Sequence, residues 1–66
     1  MQVTLNGEPC ELPDNLTLQE LLQRLQLSAD RVAVEHNREI IKRARWASVP
    51  VRAGDQLEIV HLVGGG

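Results

Sequence analysis

An apolar run near the C-terminus constrains the fold of this chain more than any other feature. Residues 57–63 read LEIVHLV, so alternation places Leu57 and Ile59 on one face of a strand and Val60 and Leu62 on the other. A strand that is apolar on both faces belongs in the middle of a sheet, where at least one face is covered. We therefore expect this last strand to be the central one.

The first twelve residues, MQVTLNGEPCEL, predict a β-hairpin. Met1, Val3 and Leu5 alternate with polar residues, which is the pattern of a half-buried strand. The Asn-Gly pair that follows is the strongest short hairpin signal, because both central positions of a type I′ turn need a positive φ. Pro9 cannot donate a hydrogen bond to a neighbouring strand, so the returning strand is expected at an edge of the sheet.

One amphipathic helix is predicted over residues 18–26. Thr17 is a good N-cap, and Glu20 three residues later completes a capping box. The leucines at positions 18, 21, 22 and 25 recur at helical spacing and form one apolar stripe. Leu27 is expected to pack beyond the end of the helix.

The segment RVAVEHN predicts a third strand, with Val32 and Val34 on one face. Residues 38–48 are ambiguous, because the two isoleucines fit a short strand or a turn and RARWA fits one helical turn. The order ββαβ(β)β, with the last strand running parallel to the first through a right-handed crossover, predicts an α+β fold of the ubiquitin-like β-grasp type. This is a mixed sheet of four to five strands with one main helix across one face. Residues 1–63 are expected to form this domain, and residues 64–66 a flexible C-terminal glycine tail.

Length and composition limit the possible functions. A single domain of 66 residues buries only about 60% of its unfolded surface, which leaves little room for a catalytic cleft of its own. A net charge of −2 does not favour a nucleic-acid partner. Cys10 is the only cysteine, the N-terminus lacks the pattern of a signal peptide, and no apolar run approaches the ~20 residues of a membrane span. We expect a cytoplasmic domain without a membrane partner.

Candidate sites for metal binding or catalysis are weak. His36 and His61 lie far apart, with no cysteine or carboxylate at ligand spacing, so no metal site is predicted. Cys10 is interpreted as a small packed residue, and the basic KRARW segment as a solvated rim with Trp46 covering the edge of the core. No nucleophile, base and carboxylate set is present, and the chain is therefore not expected to be an enzyme.

Three segments together identify a family resemblance. The opening hairpin MQVTLNGEPCEL, the middle segment VAVEHNREIIKRARW and the closing segment GDQLEIVHLVGGG resemble the corresponding parts of the ThiS family, the sulfur carrier proteins of thiamin biosynthesis. The resemblance covers essentially the whole chain. The terminal Gly-Gly is shared with related carriers, whereas the middle segment and the short length favour the thiamin branch. A third glycine, Gly64, lengthens the arm.

The resemblance implies a mechanism. An E1-like adenylating enzyme would use ATP to activate the carboxylate of Gly66, and a sulfur donor protein of the cysteine desulfurase or rhodanese type would convert it to a thiocarboxylate. Thiazole synthase would accept that sulfur. The chain itself would bind no cofactor, and Gly64 and Gly65 would supply the reach of the tail.

The strand that precedes the glycines supplies the predicted docking surface. Val60 and Leu62 should lie on the sheet face opposite the helix, where a chain of this size has nothing to cover them. We interpret them as partner-binding residues, with Glu58 and His61 as contacts at the rim.

Alternative functions stay open at this point. The small subunit of molybdopterin synthase has the same fold, tail and activation chemistry, and carriers that serve tRNA thiolation or protein conjugation are related. A non-catalytic β-grasp binding module, in which the glycines are incidental, is an alternative of a different class.

Overall fold

The computed structural model describes residues 1–62, which form a mixed five-stranded sheet with one α-helix and two 3-10 helices. The strands are β1 (Gln2–Leu5), β2 (Glu8–Glu11), β3 (Val32–His36), β4 (Glu39–Ile41) and β5 (Gln56–His61). The α-helix, α1, spans Leu18–Arg24, and the 3-10 helices span Ala29–Arg31 and Arg43–Ser48. The strand order in the sheet is β2-β1-β5-β3-β4.

The central position of β5 confirms the expectation drawn from its two apolar faces. It runs parallel to β1, with Leu5 opposite Leu57, and antiparallel to β3, with Val34 opposite Ile59. Each hairpin, β1–β2 and β3–β4, pairs with one side of β5. The predicted β-grasp arrangement, with five strands, is therefore present.

The N-terminal hairpin closes through the predicted turn. Asn6 and Gly7 have φ values of 51° and 81°, which are the positive angles of a type I′ turn. The returning strand β2, which contains Pro9, lies at the edge of the sheet as expected.

Helix α1 begins as predicted and ends two residues earlier than predicted. At its start, the Glu20 amide donates to Thr17 Oγ1 at 3.2 Å and the Thr17 amide donates to Glu20 Oε1 at 3.0 Å, which completes the capping box. The prediction of a helix over residues 18–26 was wrong at its C-terminus, because Gln26 adopts a left-handed φ of 58°. The Gln26 amide donates to Gln23 O and the Leu27 amide to Leu22 O, which is the Schellman pattern of a helix end. Leu27 packs against the core beyond the helix, as predicted.

In the ambiguous segment, the structure selects the short strand for the two isoleucines and forms a helical turn after it. Ile40 and Ile41 belong to the short strand β4, and the chain then forms the 3-10 helix Arg43–Ser48. Trp46 is buried and its indole Nε1 donates to the Ile41 carbonyl at 2.8 Å. The basic side chains of this segment are exposed, which confirms the interpretation of a solvated rim around a core tryptophan.

The hydrophobic core lies between α1 and one face of the sheet. Its buried members come from every layer of the fold: Val3, Leu12, Leu18, Leu21, Leu22, Val32, Val34, Ile41, Trp46, Val51, Leu57 and Ile59. Since the single α-helix covers this face, the other face of the sheet is open.

Candidate functional site

The predicted docking residues are Val60, in the second half of β5, and Leu62, directly after the strand. Leu57 and Ile59 are buried, so the residues that alternate with them point away from the core. Val60 is 55% exposed and Leu62 is 53% exposed. These exposures confirm that the rest of the described chain does not cover the two side chains. Their role in partner binding remains a prediction.

The two predicted rim residues are also accessible. Glu58 is exposed on the open face between Gln56 and Val60, and His61 is exposed at the end of the strand. The Leu62 amide donates to the Arg31 carbonyl at 2.7 Å, so the chain remains attached to the sheet up to this residue. The apolar residues and the rim residues thus form one continuous segment.

In the sequence, Val63 separates this segment from the predicted tail. Gly64, Gly65 and Gly66, including the predicted modification site at Gly66, lie outside the described residues. Their roles remain predictions.

Ile40 is an exposed apolar residue that the sequence reading did not identify as part of a surface. It is 73% exposed, more than any other large hydrophobic residue of the described chain. In the register of the sheet, Ile40 lies opposite Glu35, and Glu35 lies opposite Glu58. Directly opposed residues share a face of the sheet, so Ile40 belongs to the same open face as Val60. Ile40 is followed in the sequence by Ile41, which is buried. This neighbourhood assigns the two residues to opposite faces only once they are known to lie in a strand.

A cluster of hydrogen-bonded polar residues, centred on Asp55, lies at the start of β5. Asp55 is 8% exposed and accepts hydrogen bonds from the Arg52 amide at 2.8 Å and from Asn37 Nδ2 at 3.2 Å, while its Oδ2 lies 2.8 Å from His36 Nε2. Burial alone would raise the pKa of Asp55, but the hydrogen bonds from Arg52, His36 and Asn37 outweigh it and hold the pKa below its ordinary value. The cluster joins the β3–β4 turn to the start of β5.

Residues 1–62 contain no group of three His, Cys, Asp or Glu side chains placed to hold a metal ion. Cys10 is half-buried and packs against the core. None of the helices described here has the length and apolar character needed to cross a membrane.

Comparison with known proteins places the chain in a family. The sequence model of the ThiS family matches residues 3–66, and the match therefore includes the three terminal glycines. The sulfur carrier protein ThiS of Bacillus subtilis is 44% identical over 63 residues, which cover 94% of this chain and 96% of that protein. The chain belongs to the ThiS family.

The fold comparison agrees with this assignment. The crystal structure of the thiamine biosynthesis protein ThiS from Geobacter metallireducens superposes with a TM-score of 0.88 at 35% identity, and each chain is covered completely. The predicted resemblance and the predicted β-grasp fold are thus confirmed. Relatives of similar length are named sulfur carrier protein ThiS, which agrees with the expectation that the chain is a carrier protein.

A second group of relatives is much longer. The thiazole synthase of Magnetococcus marinus is 39% identical over 66 residues, which are all of this chain and 20% of that protein. The thiazole synthase of Paramagnetospirillum magneticum is 41% identical over the same length, with the same 20% share. The chain thus spans about a fifth of the length of these relatives.

Proposed function

We propose that this ThiS-family chain carries sulfur on the carboxylate of Gly66 and delivers it to thiazole synthase. The observation that supports this most strongly is the family match over residues 3–66, because it extends through the glycines on which the chemistry depends. The exposed segment that precedes the tail supplies a surface that a partner enzyme can bind.

The proposed chemistry has two steps, both performed by partner enzymes. An E1-like enzyme transfers AMP from ATP to the Gly66 carboxylate, which forms an acyl-adenylate and releases pyrophosphate. A sulfur nucleophile then attacks the carbonyl carbon, a C–S bond forms and the C–O bond to AMP breaks. With hydrosulfide as the nucleophile, the products are the thiocarboxylate, AMP and a proton.

This chemistry explains why the chain needs no catalytic residues. A carboxylate is a poor electrophile, whereas an acyl-adenylate reacts readily because AMP is a good leaving group. The partner enzyme gains most by holding the reacting groups in place. The carrier therefore has to provide a surface that can be recognised and a carboxylate that can be reached.

Thiazole synthase is the partner with the strongest support. Segments similar to the whole of this chain occur inside longer proteins named thiazole synthase, which favours a carrier and a synthase that work together. The E1-like enzyme and a sulfur donor protein of the cysteine desulfurase or rhodanese type are proposed from the family chemistry. The single cysteine is consistent with work in the reducing cytoplasm.

The proposal is tested by intact-mass measurement. The full chain is incubated with the E1-like enzyme, ATP and sulfide, and we expect a mass gain equal to the exchange of one oxygen for sulfur, located at Gly66 by fragmentation. Removal of the three terminal glycines should abolish the gain without changing the unfolding curve, because the buried core lies within residues 3–59. An enzyme that modifies another ThiS protein but leaves this chain unchanged would refute the proposal.

The choice between related carriers is tested by affinity capture. With the full chain as bait, retention of purified thiazole synthase supports the thiamin assignment. Retention of the large subunit of molybdopterin synthase in its place would contradict it.

A further inference from the structure

The open face of the sheet collects the exposed hydrophobic residues of the described chain. Ile40, Val60 and Leu62 are the large hydrophobic residues that are exposed within residues 1–62. Val60 lies opposite Ala33 on β3, and Ile40 lies on the far side of β3, on the edge strand β4. The apolar surface therefore crosses the adjacent strands β5, β3 and β4 and is not confined to β5.

Two carboxylates on this face oppose each other directly. Glu35 on β3 is the register partner of Glu58 on β5, and Ile40 continues the same row on β4. Like charges directly opposite in an antiparallel pair destabilise a sheet, because their Cβ atoms are only about 5 Å apart. The chain alone thus has an unfavourable pair at the centre of its most apolar exposed surface.

The surrounding side chains do not neutralise this pair. Within the described residues, neither Glu35 nor Glu58 forms an ion pair. Arg38 lines the same depression as both glutamates, together with the uncharged Thr4 and Gln56, but it forms an ion pair with neither glutamate. A positive charge from outside would relieve the repulsion, and a guanidinium can bind both carboxylates through its several N–H donors.

We propose that the open face, defined by Ala33, Glu35, Ile40, Glu58 and Val60, is the docking surface for thiazole synthase. The synthase would contribute apolar side chains that cover Ile40 and Val60 and an arginine or lysine that binds between Glu35 and Glu58. This inference rests on the proposed function, which names the synthase as the acceptor. It adds the chemistry of the recognising surface, and it extends that surface to β3 and β4.

Removing one charge of the glutamate pair should have two opposite effects: the fold becomes more stable, and binding to the partner becomes weaker. In Glu35→Gln and Glu58→Gln, the repulsion is removed, so the urea midpoint of unfolding should rise. The same substitutions remove the charge that attracts the partner, so the dissociation constant for purified thiazole synthase should increase roughly tenfold. The wild-type affinity should also fall more steeply with added salt than the affinity of either variant.

Two further variants complete the test. Glu8→Gln removes one negative charge from β2 at an exposed position paired with Leu5, on the other side of the sheet from Glu58, and should change neither stability nor affinity. Ile40→Ala should weaken binding while leaving stability nearly unchanged, since the side chain is 73% exposed.

The outcomes separate this inference from the function on which it rests. If the glutamine variants bind thiazole synthase as tightly as the wild type at low salt, the docking surface is refuted. If they lose affinity only for the E1-like enzyme, the assigned occupant is wrong. The proposed role as a sulfur carrier fails separately, if the wild-type chain gains no sulfur in the intact-mass experiment.

Discussion

At the scale of single residues, Asp55 shows how a buried charge can be kept in so small a domain. Its carboxylate accepts hydrogen bonds from a backbone amide and from Asn37 and contacts His36, and together these lower its pKa in spite of burial. A pKa that is lower in the folded than in the unfolded chain stabilises the fold above the unfolded value, about 3.9 for aspartate. This contribution is lost as the pH falls through that value towards the lower pKa of the folded state.

We therefore predict that Asp55→Asn lowers the free energy of unfolding at pH 7 by about 1–3 kcal/mol. The difference from the wild type should shrink as the pH falls below about 4, because Asp55 of the unfolded wild type then takes up a proton that the folded chain, with its lower pKa, binds only at a lower pH. Urea unfolding at several pH values, followed by the fluorescence of the single tryptophan, Trp46, measures both effects. Asp30→Asn is the control, because it removes an exposed carboxylate whose ion pair with Arg43 contributes about 0–1 kcal/mol. An equal loss in both variants would contradict the role assigned to Asp55.

At the scale of the element, the end of α1 provides a matched pair of substitutions. Gln26 holds a left-handed φ of 58°, which glycine adopts without steric cost, whereas Gln23 lies inside the helix. Gln26→Gly should raise the free energy of unfolding by about 0.5–1 kcal/mol, and Gln23→Gly should lower it by about 1 kcal/mol. Both side chains are exposed, so the same chemical change is compared at two backbone conformations. Urea unfolding measures the difference, and equal signs for the two variants would refute the Schellman ending.

At the scale of the whole molecule, β5 is the element that joins the two hairpins. Leu57 is 1% exposed at the point where β5 pairs with both β1 and β3. Leu57→Ala should cost about 2–5 kcal/mol, which is comparable to the total stability expected for a domain of this size. Val60→Ala, on the open face of the same strand, should cost less than about 0.5 kcal/mol. Hydrogen exchange should show that both hairpins lose protection together in Leu57→Ala; continued protection of one hairpin would contradict this account.

Much of the fold could be predicted because local patterns and tertiary contacts agree. The positive φ of the Asn-Gly turn, the capping box at Thr17 and the alternation in β1 and β3 are properties of a few adjacent residues. The end of α1 could not be predicted as reliably, since a glutamine in a left-handed conformation carries no sequence signal of the kind that glycine supplies. The choice of a strand followed by a 3-10 helix for residues 39–48 depended on the burial of Ile41 and Trp46, which is a tertiary property.

In the candidate site too, some residues could be predicted from the sequence and others could not. The predicted docking and rim residues could be named from the sequence because they lie on one strand or directly after it, where alternation assigns each residue to a face: Glu58, Val60, His61 and Leu62. Ile40 and Glu35 could not, because they reach the same surface from other strands.

The sequence by itself therefore determined the central strand, the β-grasp order and the resemblance to sulfur carriers that the family match confirms. These depend on periodicity and on short motifs, which are readable along the chain. Only the tertiary structure decided that Glu35 opposes Glu58 and that Ile40 shares their row. The physical reason is that register between strands distant in sequence is set by packing against a common core, and no local pattern encodes which two side chains that packing brings face to face.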